Sequence, residues 1–235
     1  MSLVSLVGLA VVSIKEEKLR RLVFVLVSLA VGSLFGDVFI HLLPEAFEKL
    51  NTRMEASLFL LSGIFIFFVL EKFVLWRHQH LLESDRPIHP VGYMNLVADG
   101  LHNFIDGMII GASYLTSLPV GVATTIAVAM HELPQEISDF GVLLHAGFTK
   151  KKALIFNFLS ATLAILGAII ILLAGTNMQY VIAVMLPLAA GGFIYIAGSD
   201  LVPELNKEVE LSKSIIQLLA IGAGVGMMLL LTLLE

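Results

Sequence analysis

Residues 91–146 read VGYMNLVADGLHNFIDGMIIGASYLTSLPVGVATTIAVAMHELPQEISDFGVLLHA. Two long apolar runs, Val91–Leu115 and Leu118–Ala146, are separated only by Thr116 and Ser117. Each run exceeds the about 20 residues that an α-helix needs to cross a bilayer. So short a connection predicts a tight antiparallel hairpin of two membrane helices. Near the middle of the first lie Asp99, His102, Asn103 and Asp106, and near the middle of the second lie His131, Glu132, Gln135, Glu136 and Asp139. A charge at bilayer depth costs about 2.5–3.5 kcal/mol on insertion scales, so intramembrane ionisable groups mark function.

The rest of the chain follows the same pattern. Of its 235 residues, 58% are hydrophobic and 14% charged, against roughly 25% charged in a soluble globular domain. The mean hydropathy is +0.95. An ordinary soluble domain is excluded. The absence of cysteine excludes a disulfide scaffold. No basic stripe is interleaved with aromatics, so no nucleic-acid partner is expected. The net charge of −5 says little, because the charges are segregated.

Apolar runs place eight spans at Leu3–Ile14, Leu22–Leu43, Ala56–Trp76, Val91–Leu115, Leu118–Ala146, Ala153–Leu173, Met178–Leu201 and Ile215–Leu234. The expectation is an all-α polytopic membrane protein with one transport domain, 1–235, and the lipid bilayer around it. The first run is short for a hydrocarbon core of about 30 Å. Its positive charges follow the apolar run, which argues against a signal peptide. It reads as a half-span or as the end of a longer N-terminal segment.

Lys and Arg set the orientation. Loops after odd-numbered spans hold Lys15, Lys18, Arg20, Arg21, Lys72, Arg77, Arg86, Lys150, Lys151, Lys152, Lys207 and Lys213; loops after even-numbered spans hold only Lys49 and Arg53. The positive-inside rule puts the first set in the cytoplasm, with both termini outside. The plasma (inner) membrane is the expected location. The second span ends in His41-Leu-Leu-Pro-Glu45 and the seventh in Asp200-Leu-Val-Pro-Glu204. These two spans run in opposite directions, as in an inverted-repeat transporter; a common way of ending an apolar helix would give the same likeness.

At about 100° per residue, Asp99, His102, Asn103 and Asp106 share an arc of about 100° on one helix, and His131, Glu132, Gln135 and Asp139 do so on the next. Glu136 lies about 40° further round. His102 with Asp106, and His131 with Gln135, are four residues apart and can each grip one ion from one helix face. Imidazole with carboxylate suits zinc, ferrous iron or manganese, and the lack of cysteine argues against a thiolate copper site. Pro134 cannot donate to the Met130 carbonyl, which frees a backbone acceptor in mid-helix. Asp99 reads equally as a ligand or as a hydrogen-bond acceptor, and Glu136 as a supporting group. Gly100, Gly107 and Gly111 fall on the back of the helix, where close packing explains them. Pathway or secondary positions extend both ways: Asp37, His41 and Glu45 toward the outside, and His145, Asp200 and Glu204 toward the cytoplasm. His78, His80 and His89 read as a metal-collecting loop or as ordinary solvated residues.

The pair HNFIDG (His102–Gly107) and HELPQE (His131–Glu136) resembles the two signature helices of the ZIP (Zrt/Irt-like protein) family of metal transporters. GDVFIHLLPEA (Gly36–Ala46) and SDLVPE (Ser199–Glu204) resemble that family's second and seventh helices. The resemblance covers nearly the whole chain. It implies eight spans, with inverted outer triplets around the fourth and fifth helices, a homodimer, and divalent metal, zinc first, moving into the cytoplasm as cargo; no catalytic cofactor is implied. It further implies one central metal at His102, Asp106, His131 and Gln135, and a second beside it at Asn103, Asp106, Glu132 and Gln135. Departures from the pattern accompany it. Gln135 stands where relatives have His or Glu, Ala164 where some have a carboxylate, and the first span is short. Asn157 and Ser160 are the polar groups near Ala164.

Two other classes compete. His131-Glu132-Leu-Pro-Gln135 stops one residue short of H-E-x-x-H, so an intramembrane zinc metalloprotease would lack its second His ligand unless His102 supplied it. A proton-coupled solute carrier would use the same residues as proton relays. The transporter reading predicts a protein that is not an enzyme.

Overall fold

A computed structural model of the protein describes residues 16–81, 88–174 and 179–231. These residues are helical, with no strand among them. The chain forms α1 (Glu16–Gly36), a π-helical turn (Asp37–Leu42) and α2 (Leu43–Lys49), then α3 (Arg53–Leu81), α4 (Pro90–Thr116) and α5 (Leu118–His145). It continues with α6 (Lys150–Ala161), α7 (Leu163–Ala174), α8 (Gln179–Tyr195), a second π-helical turn (Ile196–Leu201), α9 (Val202–Leu205) and α10 (Leu211–Leu231). The expected first span, Leu3–Ile14, lies outside the described residues.

Five continuous helical stretches are long and apolar enough to cross a membrane: Arg21–Lys49, Arg53–Val74, Lys150–Ala174, Gln179–Leu205 and Leu211–Leu231. α4 and α5 have 27 and 28 residues, enough for about 40 Å of helix, but carry the polar cluster. The sixth run is not one regular helix: it breaks at Thr162, whose hydroxyl takes the Leu159 carbonyl at 2.6 Å. The expected ends of the hairpin hold to within one residue. Ser117 alone separates α4 from α5, and its N–H donates to the Ser113 carbonyl at 3.2 Å.

Both π turns precede a proline. Pro44 and Pro203 bring no N–H and crowd the carbonyl four residues back, so the helix widens just before them. Leu43 N–H reaches back to the Val38 carbonyl, and Val202 N–H to that of Ala197. One register aligns Gly32 with Gly191, Asp37–Leu42 with Ile196–Leu201, Pro44 with Pro203 and Glu45 with Glu204.

Reciprocal glycines set the closest helix crossings. A Cβ on Gly32 would stand 2.1 Å from the Ile221 carbonyl oxygen and one on Gly224 2.5 Å from that of Leu29, which locks α1 to α10. Gly63 and Gly191 do the same for α3 and α8, and Gly107 and Gly167 for α4 and α7. In a bilayer, where lipid is as apolar as leucine, such close backbone approach is a main source of helix association. α4 is thereby held between α5, α7 and α8, and α5 packs on α1.

The burial pattern is that of a membrane protein. Phe65 and Val69 of α3, Leu172 and Leu173 of α7, and Leu218 and Leu230 of α10 are exposed, apolar side chains that suit a lipid surrounding. The interior, in contrast, holds Asp37, Asp99, Asp106, Glu132, Glu136 and Asp139.

Candidate metal centre

The two signature segments meet inside the α4–α5 hairpin. His102 Nε2 lies 3.6 Å from Asp106 Oδ2 on the next turn of α4 and 3.4 Å from Glu132 Oε1 across on α5. One ligand atom from each of His102, Asp106 and Glu132 lies within 4.8 Å of the others, and all three residues are buried. The His102 ring packs against Phe193 of α8 with centroids 5.3 Å apart. Gln135 is buried one turn beyond Glu132, and neither its amide oxygen nor its nitrogen has a hydrogen-bond partner among the described residues. Asn103 Nδ2 donates to Asp99 Oδ1 at 2.8 Å. Because a carboxylate can only accept, this fixes the amide and leaves Asn103 Oδ1 as an acceptor without a partner among the described residues. The His131 side chain lies outside the described residues; its backbone is part of α5.

A layer of neutral donors steadies the other carboxylates. Asp99 also accepts from Ser160 of α6. Glu136 accepts from Asn157 Nδ2 of α6 at 2.5 Å, and Asp139 Oδ1 from Asn95 Nδ2 of α4 at 3.0 Å. Glu136 Oε1 and Asp139 Oδ2 remain without partners among the described residues. Asp99, Glu136 and Asp139 thus surround the central triplet without joining its group of ligand atoms. Six carboxylates are buried here, while no Lys or Arg among the described residues is buried. Uncompensated charge of this kind must be met by cations, either metal or protons.

From the centre a ladder of charged groups leads along the first π turn. Asp37 Oδ2 lies 3.9 Å from His102 Nδ1, Asp37 Oδ1 lies 3.2 Å from His41 Nδ1, and His41 Nε2 lies 3.8 Å from Glu45 Oε2. At the far end of α5, half-buried His145 lines a cavity of about 590 Å³ with Leu144, Phe148 and Lys150, and another of about 280 Å³ with Glu204, Lys207, Glu208 and Gln217. The backbone N–H of Glu210 and the Lys213 ammonium hold the Glu208 carboxyl below its ordinary range. Asp200 sits on the second π turn, half-buried, outside the central group. One π turn earlier, Tyr195 donates to Glu71 of α3 at 2.5 Å. His89 caps α4, its Nδ1 accepting the Val91 N–H at 3.3 Å. The side chains of His78 and His80 lie outside the described residues.

Asn95, Asn157 and Ser160 have no role assigned from the sequence. Asn157 and Ser160 stand on a largely apolar span, which is the signal that could have found them: an amide or hydroxyl on such a span needs a partner, here from a neighbouring helix.

Apolar faces turned outward around a buried His–carboxylate centre define an integral membrane protein. The ZIP zinc transporter family matches residues 1–89 and 77–232, and the chain belongs to it. Among its relatives, zinc transporter ZIP13 of Pongo abelii is 35% identical, over 88% of this chain and 66% of the relative. The zinc transporter ZIP13 homolog of Drosophila melanogaster is 31% identical over 94% of this chain and 80% of its own length. Zinc transporter SLC39A7 of Homo sapiens is 30% identical over 92% and 65%. The chain therefore spans about two thirds to four fifths of the length of these relatives. The family is one of transporters, not of enzymes, and this membership favours neither the protease nor the solute-carrier reading.

Proposed function

We propose that this chain carries divalent metal ions, zinc first, across the membrane and into the cytoplasm through a midplane site on α4 and α5. The observation that carries the reading is the set of six buried carboxylates around His102, with no buried Lys or Arg among the described residues. His102, Asp106 and Glu132 supply the imidazole and carboxylate donors that zinc takes. His131 and Gln135 complete a first position with His102 and Asp106; Asn103 and Glu132 add ligands to a second, which shares Asp106 and Gln135. The family's relatives are named as zinc transporters, which supports zinc as cargo.

Eight spans in a single domain, with both termini outside a plasma membrane, accord with the distribution of Lys and Arg. The matched π turns, the Gly32–Gly191 register and the parallel pairings of α1 with α10 and α3 with α8 support inverted outer triplets around the α4–α5 pair. Under that arrangement metal steps from Glu45, His41 and Asp37 to the centre, and leaves by Asp99, Glu136 and Asp139 toward His145, Asp200 and Glu204. A homodimer in the bilayer completes the reading. The test is uptake into proteoliposomes from a panel of divalent ions, read by elemental analysis. Zinc accumulation without peptide cleavage supports it; proteolysis, or solute flux that ignores metal, overturns it.

A further inference from the structure

The ladder that leaves His102 does not end on a metal-ligating group. It ends on a lysine. Lys49 Nζ lies 2.6 Å from Glu45 Oε1, on the oxygen of Glu45 that does not face His41. Side-chain exposure is 0% at His102 and Asp37, about a fifth at His41 and Glu45 (22% and 20%), and 34% at Lys49. The order is ammonium, carboxylate, imidazole, carboxylate, imidazole. A cation stepping along it finds one carboxylate oxygen and one ring nitrogen at each stage: Glu45 with His41, Asp37 with His41, then Asp37 with His102. Glu45, the outermost carboxylate, already holds a positive charge of the protein's own.

The opposite mouth gathers the same three residue types. Glu204, in register with Glu45 behind its own proline, is ion-paired to Lys207, and Glu204, Lys207 and His145 line one cavity of about 280 Å³. Lys, Glu and His thus meet at both ends, through direct pairs at Glu45 and around one cavity at Glu204. Two features make such a lysine displaceable rather than structural. Its flexible stem lets the ammonium swing into water, and an ion pair exposed to solvent is weak.

We propose that Lys49 and Lys207 are tethered counter-ions: each occupies the outermost carboxylate of its mouth and is displaced when a divalent cation docks between that carboxylate and the neighbouring imidazole. The proposal rests on the transport reading. A doubly charged ion that also takes a ring nitrogen outcompetes the ammonium, whereas a monovalent ion gains little by replacing it, so the lysines favour divalent cargo at capture.

The experiment is zinc uptake by proteoliposomes holding the full chain, with both lysines changed together so that vesicle orientation does not matter. Lys49→Gln with Lys207→Gln is expected to lower KM for zinc about two- to fivefold, the range set by the strength of a solvent-exposed ion pair. Lys49→Arg with Lys207→Arg keeps the wild-type KM. Glu45→Gln with Glu204→Gln raises KM, and in that background the lysine changes have no further effect. An unchanged or raised KM in the glutamine pair overturns the proposal, as does an equal shift with and without the glutamates, which would mean general surface charge. Wild-type protein that moves no zinc overturns the transport reading and this proposal with it; wild-type transport with an unmoved KM overturns this proposal alone.

Discussion

Gly107→Ala should destabilise the protein and disable its centre together. An added Cβ would stand 1.9 Å from the Ala164 carbonyl oxygen and 2.8 Å from the Ala164 Cα, both backbone atoms of α7. Ordinary contact begins near 3.4 Å, so the helices must part by about 1.5 Å along that line. No rotamer change relieves this, because the atoms met are backbone, and the helices are as close at Gly167, where a Cβ would stand 2.0 Å from the Phe104 carbonyl oxygen. Overpacking that only backbone movement can relieve belongs at the upper end of its range, about 3 kcal/mol. For a chain of this length that lowers the melting temperature by roughly 6–12 °C. Asp106 is the adjacent residue, and a ligand set held to about 0.5 Å does not survive such a shift, so zinc uptake should fall to below about a tenth of wild type. Gly222→Ala in α10 is the control: its Cβ meets nothing within 4 Å, and removing a helix glycine adds up to about 1 kcal/mol of stability. The assays are thermal unfolding in detergent and proteoliposome uptake. Wild-type melting and uptake in Gly107→Ala would refute the claim that backbone contact between α4 and α7 positions the centre.

Zinc uptake should weaken as the pH falls below about 6, because imidazole ligates only when neutral and its unperturbed pKa is about 6.5; flux at a fixed gradient and varied absolute pH measures this, and a rate climbing steadily toward pH 5 contradicts it. At saturating zinc the centre should hold one well-occupied ion, because Gln135 and Ala164 bring no charge to a second position. Gln135→Glu should raise the measured stoichiometry toward two and slow release; two full ions in the wild type would show the count to be wrong.

The α4–α5 hairpin was legible because two signals coincide there, an apolar run and charges at helical spacing. The convergence of His102, Asp106 and Glu132 follows from that spacing once the helices are antiparallel. The π turns were not legible. Pro44 and Pro203 show that a hydrogen bond is lost, but not whether the helix kinks, breaks or widens in response. Nor does hydropathy reveal which spans pair: Gly32 with Gly224 and Gly63 with Gly191 are complementary shapes far apart in sequence. The break at Thr162 was hidden for a similar reason, since its neighbours are apolar on both sides and satisfy the pattern of a single span. Asn157 and Ser160 were visible as polar residues, but their carboxylate partners come from α5 and α4, which only the packing brings near.

The central claim is that His102 and Asp106 hold the transported ion. Zinc uptake by proteoliposomes containing His102→Ala or Asp106→Ala, at matched protein content and with folding checked by melting, tests it most directly. Uptake no greater than that of empty liposomes is expected in both variants, from protein that still melts cooperatively. Near-wild-type uptake in either variant would contradict it.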